Sequence, residues 1–264
     1  MDIDDRPVGR VLSRRELVAL FGATAVAALG HRLGAQPQSP GAAATGASCI
    51  VRPQQTEGPY FVDEKLVRSD VRADPATGIA RPGAPLELAL SIAQVTAAGG
   101  CAPLAGAMVD IWQCDALGVY SDSRDRSFNT TGQKFLRGAQ VTEAGGLVRF
   151  TTIYPGWYPG RAVHIHFKVR TGSAAAPGYE FTSQFYFDER LTDRVHAAAP
   201  YATHAGQRTR NERDGIFGRG GSELILPVME TRGGYTASFN VAMRPGDPAP
   251  AGPGGARGRG RGRG

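Results

Sequence analysis

His164 and His166 stand one residue apart in the run Tyr158-Pro159-Gly160-Arg161-Ala162-Val163-His164-Ile165-His166-Phe167. In a strand, side chains at i and i+2 share a face. The two imidazoles then point one way, and Val163, Ile165 and Phe167 the other. Two imidazoles on one strand face can supply two ligands to one metal ion, and neutral imidazole suits iron, copper, zinc and nickel. His-x-His on a strand is common, and alone it settles nothing. Tyr158 lies just upstream, and Tyr120 lies in Gly118-Val119-Tyr120-Ser121. Phenolates from these two would add hard, anionic oxygen, which favours a ferric ion over zinc. A copper or zinc protein using His164 and His166 alone stays open at this point, as does a β-sandwich module that binds without turnover.

Short apolar runs separated by turn residues have to position these groups. Leu86–Val95 alternates with period two. Ala107–Cys114, Phe135–Val141, Leu147–Ile153, Ala162–Arg170, Phe181–Phe187, Leu224–Glu230 and Tyr235–Val241 follow as strands. Ala98-Gly99-Gly100, Glu143-Ala144-Gly145-Gly146 and Arg232-Gly233-Gly234 break the pattern, and the last two read as hairpin turns. Only Asp188–Ala199 offers a start for a helical turn. The pattern predicts an all-β protein built as a sandwich or barrel.

The formal charge of +6 divides unevenly. Residues 1–35 hold five Arg against four acidic residues, and the tail from Pro245 holds four Arg against Asp247. The body keeps about +2, which makes no electrostatic case for nucleic acid as a partner. Arg14 and Arg15 precede an uncharged run from Leu17 to Gly30, the pattern of a Tat export signal. The run is shorter than the roughly 20 residues a membrane-spanning helix needs, so no stable insertion is expected. Leu33-Gly34-Ala35 offers a small-residue cleavage site. An amphipathic N-terminal helix or an uncleaved anchor is the alternative. We therefore read residues 1–35 as a signal, 36–48 as a linker, 49–244 as one folded domain, and 245–264 as a disordered Gly/Arg-rich tail. Export permits a disulfide. Of the three cysteines, Cys49 and Cys101 sit in turn-like segments and are the expected pair, while Cys114 reads as a small buried residue.

Several segments in order carry a resemblance: Pro53-Gln54-Gln55-Thr56-Glu57-Gly58-Pro59-Tyr60, Val109 to Ala116, Gly118 to Ser121, Phe135-Leu136-Arg137-Gly138, and Pro155 through His166. Together they resemble the intradiol ring-cleavage dioxygenases, the family of protocatechuate 3,4-dioxygenase and catechol 1,2-dioxygenase, over roughly residues 49–241. The resemblance implies a β-sandwich and a mononuclear non-haem Fe(III) ligated by Tyr120, Tyr158, His164 and His166. It implies that both atoms of O₂ enter a catechol-type diol, with cleavage between the hydroxylated carbons to a cis,cis-muconate-type diacid. Tyr158 would be the ligand that leaves the metal and accepts a substrate proton. Arg161 would lie beside the substrate and stabilise developing carbanion character. Gln184 matches a supporting glutamine. Tyr60 and Trp157 are candidates for the substrate wall.

The loop from Tyr158 to His164 is shorter than in the well-known enzymes, so the pocket wall there differs. A helical dimerisation segment like that of catechol 1,2-dioxygenases is not found, and a homo-oligomer stays open. Asp110 and Asp115 read either as acceptors behind the site or as turn and strand-end residues. Tyr154 reads as a residue of the pocket edge, and His196 and His204 as surface residues.

Overall fold

The computed structural model describes residues 49–173 and 176–245. The expected signal and linker, and the tail beyond Pro245, lie outside the described residues.

Period-two burial builds the first sheet. Strand β1 (Pro85–Val95) turns Leu86, Leu88, Leu90 and Ile92 inward. Along one edge it pairs antiparallel with β5 (Leu147–Ile153) and, further on, with β2 (Cys101–Pro103). Along the other it runs parallel to β9 (Gly234–Met243), which pairs with β8 (Val228–Thr231). The second sheet has the order β4 (Arg137–Val141), β3 (Met108–Trp112), β6 (His164–Ser173), β7 (Ala176–Tyr186), and every pairing in it is antiparallel.

The inward faces of the two sheets meet in one apolar core. Val109, Ile111, Ile165, Phe167, Val169 and Phe185 come from the second sheet, and Leu88, Leu90, Phe150, Ala237 and Phe239 from the first. Phe185 and Phe239 touch edge-on across the interface at 5.2 Å. This is the predicted β-sandwich. Helix α1 (Glu189–His196) follows β7, inside the predicted window. Asp188 caps it by accepting from the Leu191 N–H at 2.9 Å, and Leu191, Thr192 and Val195 form its buried stripe.

Several expectations change. The turn Glu143–Gly146 does not close a hairpin: β4 pairs with β3 in one sheet and β5 with β1 in the other, so the turn carries the chain between layers. Glycine-rich turn composition reports a reversal of direction but not the sheet that receives the next strand. The segment Ala98–Gly100 does form a hairpin, between β1 and the short β2. Strand β4 starts only at Arg137, because Leu136 has φ +52°. The expected strand Leu224–Glu230 is split into a 3₁₀ turn at Gly221–Leu224 and β8, with Pro227 between them.

Cys49 and Cys101 form a disulfide, Cα–Cα 5.4 Å, which pins the first described residue to β2. Cys114 is free and buried. No helix among the described residues is long and apolar enough to cross a membrane.

Candidate active site

Ile165 and Phe167 of strand β6, with Val163 just before it, lie in the core, and the strand directs His164 and His166 to the outer face of the second sheet. That face is not open to solvent: His164 is 3% exposed and His166 1%. The segment before Tyr60 covers it so closely that a Cβ at Gly58 would lie 3.3 Å from His166 Cε1. The Nε2 atoms of the two imidazoles are 3.0 Å apart. His164 Nδ1 lies 2.6 Å from the Ala162 carbonyl. A carbonyl only accepts, so the His164 proton sits on Nδ1 and the Nε2 lone pair faces His166. The His166 ring stacks on Trp112 at 4.8 Å and 5°, and its Nδ1 has no partner among the described residues. Burial, with the Arg161 charge adding to it, pushes His164 down to about 3; burial and the neighbouring His164 push His166 well below its ordinary value. Both rings are neutral, the form that ligates a metal.

Tyr120 enters from the turn after β3. Asp115 shapes that turn by accepting from the Leu117 and Val119 N–H groups at 2.9 and 3.0 Å. Gly118 has φ +82°, and a Cβ there would lie 2.2 Å from the Trp157 carbonyl oxygen, so the turn and the Trp157–Tyr158 segment are locked together. Tyr120 is fully buried, and its Oη lies 3.4 Å from His164 Nε2. The half-buried Tyr158 ring stands edge-on to Tyr120 at 5.6 Å and to His164 at 5.7 Å. Tyr60 stacks on Tyr120 at 4.3 Å and 16°, and donates to Asp125 at 2.9 Å.

Burial raises all three phenols. Tyr158 reaches about 12, with burial the largest cause and Arg161 opposing it; Tyr60 is raised further, and burial lifts Tyr120 well above its ordinary value. One buried and one half-buried phenol beside two neutral imidazoles suit a multivalent cation, which would reverse the penalty on the phenolates. Among the described residues no three His, Cys, Asp or Glu side chains gather to hold a metal, so tyrosine oxygens are needed to complete this donor set.

Behind the rings lies a polar frame. Arg161 donates through Nε to Asp214 at 3.0 Å, lies 3.4 Å from Tyr158 Oη through Nη1, and donates through Nη2 to Gln184 Oε1. Gln184 is opposite His166 in the β6–β7 register and donates to the Thr56 carbonyl at 2.8 Å. Tyr186 donates to Gln55 at 2.9 Å. Asp214 also accepts from the Ala162 N–H at 2.8 Å. Asp214 and Tyr186 escape sequence reading. Asp214 lies 53 residues from Arg161, and its only local signal is an Asp-Gly turn.

A cavity of about 510 Å³ opens beside Tyr60 and Tyr158, with Leu117, Val119, Asp125, Phe128 and His204 among its walls. Trp157 is buried and stacks on His204 at 4.1 Å. His204 is thus a half-buried wall residue, not a surface one. His196 is also half-buried; it lies 3.0 Å from the Pro155 carbonyl and stacks on Tyr201. Tyr154 packs on Phe187 and hydrogen-bonds Thr192 at 2.7 Å, in the core and away from the pocket. Asp110 pairs with Arg170 at 2.8 Å on the outer face of the sheet, and Asp115 serves its turn.

A family model described as Dioxygenase matches residues 56–214. An intradiol ring-cleavage dioxygenase from Tetranychus urticae is 31% identical, with 75% of this chain and 96% of that one covered and a TM-score of 0.65. The chain belongs to the intradiol ring-cleavage dioxygenase family. The dioxygenase domain of a dioxygenase carbohydrate-binding protein fusion from Streptomyces sp. SirexAA-E is 28% identical, covering 74% of this chain and 99% of that one, TM-score 0.53. The 3-chlorocatechol 1,2-dioxygenase of Rhodococcus opacus 1CP shares the fold at 20% identity, covering 76% and 75%, TM-score 0.53. The match to the Dioxygenase family model spans every residue of the Tyr120, Tyr158, Arg161, His164, His166 and Asp214 cluster.

Proposed function

We propose that this intradiol dioxygenase family member is an active Fe(III) enzyme that cleaves a catechol-type diol between its hydroxylated carbons, inserting both atoms of O₂. The observation that carries the reading is the convergence of Tyr120, Tyr158, His164 and His166, with His164 Nε2 3.0 Å from His166 Nε2 and 3.4 Å from Tyr120 Oη. These four side chains would hold the ion. Fe(III) bound there supplies Lewis acidity toward the diol oxygens and makes the ring reactive to O₂.

The chain's own residues do the rest. Tyr158 Oη, as phenolate, takes one proton from a substrate hydroxyl. Arg161 stays charged in a dry site, and the frame of Asp214 and Gln184 aims it beside Tyr158, where it stabilises negative charge developing on the ring. The neutral imidazoles leave charge balance to the oxygens. The cavity beside Tyr60 and Tyr158 admits the aromatic ring. The Cys49–Cys101 disulfide suits an oxidising compartment, which supports export through the twin-arginine leader at residues 1–35.

Loading the protein with ferric iron tests the reading. The expected product is red-brown, from tyrosinate-to-iron charge transfer. It should consume O₂ with catechol, protocatechuate or hydroxyquinol, and mass spectrometry should find acids opened between the hydroxyls. Tyr158→Phe should bleach or shift the band and slow turnover. A colourless protein with bound copper or zinc, or one with no turnover on any diol, would overturn the proposal; so would a Tyr158→Phe variant with unchanged colour and rate.

A further inference from the structure

The Phe135-Leu136-Arg137-Gly138 run has no part in the chemistry above, yet Arg137 is only 3% exposed. It opens β4 at the end of a register row. Arg137 lies opposite Trp112, Trp112 opposite His166, and His166 opposite Gln184. At the far end of the row Gln184 joins Arg161 to the Thr56 carbonyl. At the near end Arg137 does comparable work on the tyrosine side. Its Nε donates to Ser121 Oγ at 2.7 Å, its Nη2 to the Ser121 carbonyl, and its Nη1 to the Tyr60 carbonyl at 3.2 Å. Ser121 Oγ in turn donates to the Phe135 carbonyl at 2.6 Å.

These partners adjoin Tyr120, whose own carbonyl accepts from Thr130 Oγ1 at 2.6 Å. Ser121 follows Tyr120 in the chain, and the Tyr60 ring stacks on the Tyr120 ring at 4.3 Å. No carboxylate among the described residues accepts a hydrogen bond from Arg137. Leaving a buried guanidinium without a carboxylate partner is costly, and here a planar fork of donors is matched to oxygens from two separate segments. Lysine cannot reproduce that fork.

We infer that Arg137 is a positioning residue of the centre, clamping the Tyr60 backbone to Ser121, the neighbour of Tyr120, so that the Tyr120 hydroxyl is aimed at His164. The inference rests on the iron reading, because its effect is read at the Tyr120 oxygen.

The test compares ferric-loaded wild type, Arg137→Lys, Ser121→Ala and, as a reference on the same sheet, Arg170→Gln. Arg170 pairs with Asp110 and Asp63, away from the rings. Arg137→Lys should still bind iron but show a shifted or weakened charge-transfer band, with kcat lowered about tenfold or more and KM nearly unchanged. Ser121→Ala should move the band in the same direction by less, and Arg170→Gln should leave it in place. If Arg137→Lys does not fold, Ser121→Ala decides. Folded, iron-loaded Arg137→Lys or Ser121→Ala with a wild-type band and kcat overturns the assignment while the iron reading stands. A colourless wild type overturns both.

Discussion

Asp214→Asn is the substitution whose outcome follows most directly from the geometry. One carboxylate oxygen accepts from Arg161 Nε at 3.0 Å and the Ala162 N–H at 2.8 Å; the other accepts from the Ile216 N–H at 2.7 Å and the Phe217 N–H at 3.3 Å. Asparagine keeps the shape but turns an amide toward one of these pairs, losing two hydrogen bonds and leaving Arg161 without its counter-charge. The side chains are 13% and 1% exposed, so water cannot replace the partner. Breaking a buried pair costs about 3–5 kcal/mol. At the lower end, for a domain of this size, that is a melting temperature lowered by about 6–12 °C. The loss depends on pH. Burial raises the Asp214 pKa, but the Arg161 charge and the backbone donors outweigh it and hold the group below its ordinary value. The folded state therefore binds fewer protons, so the contribution is complete above the unfolded value of about 3.9 and disappears as pH falls through the folded one. Thermal melts of the metal-free wild type and variant, followed by circular dichroism from neutral to acid pH, check both points. A variant within about 2 °C of wild type at pH 7, or a gap that does not narrow in acid, would show that Asp214 does not hold Arg161 as a buried ion pair.

Gly118→Ala should lower the melting temperature sharply and perturb the tyrosine site, because the new Cβ meets the Trp157 carbonyl at 2.2 Å and the backbone sits at φ +82°; an unchanged melt and unchanged colour would contradict it. Reducing the Cys49–Cys101 bond, or replacing both residues by Ser, should cost about 4 kcal/mol for a sequence separation of 52, seen as a lower denaturant midpoint. An equal midpoint with and without reductant would refute that.

The sandwich was readable because its signal is local. Leu86, Leu88, Leu90 and Ile92 alternate over one strand, and the Gly-rich breaks are contiguous. Where the reading failed, the deciding fact was not local. Nothing in Glu143–Gly146 says that β5 will pair with β1 and not with β4, because that choice belongs to the two faces that each layer buries. His204 read as a surface residue because its stacking partner Trp157 lies 47 positions away in the chain and only the fold brings them together.

Sequence alone determined the period-two strands, the shared face of His164 and His166, and the tyrosine and arginine types that would suit the proposed ferric centre. These are properties of side-chain chemistry and of backbone periodicity, which a neighbour or two suffices to define. Tertiary structure decided how closely Tyr120 and Tyr158 approach those histidines, that Asp214 holds Arg161, and that Arg137 braces the opposite side. Each is a contact between distant segments, and its existence depends on the layers packing and covering the outer face of the second sheet, where burial makes a charge or a hydrogen bond count.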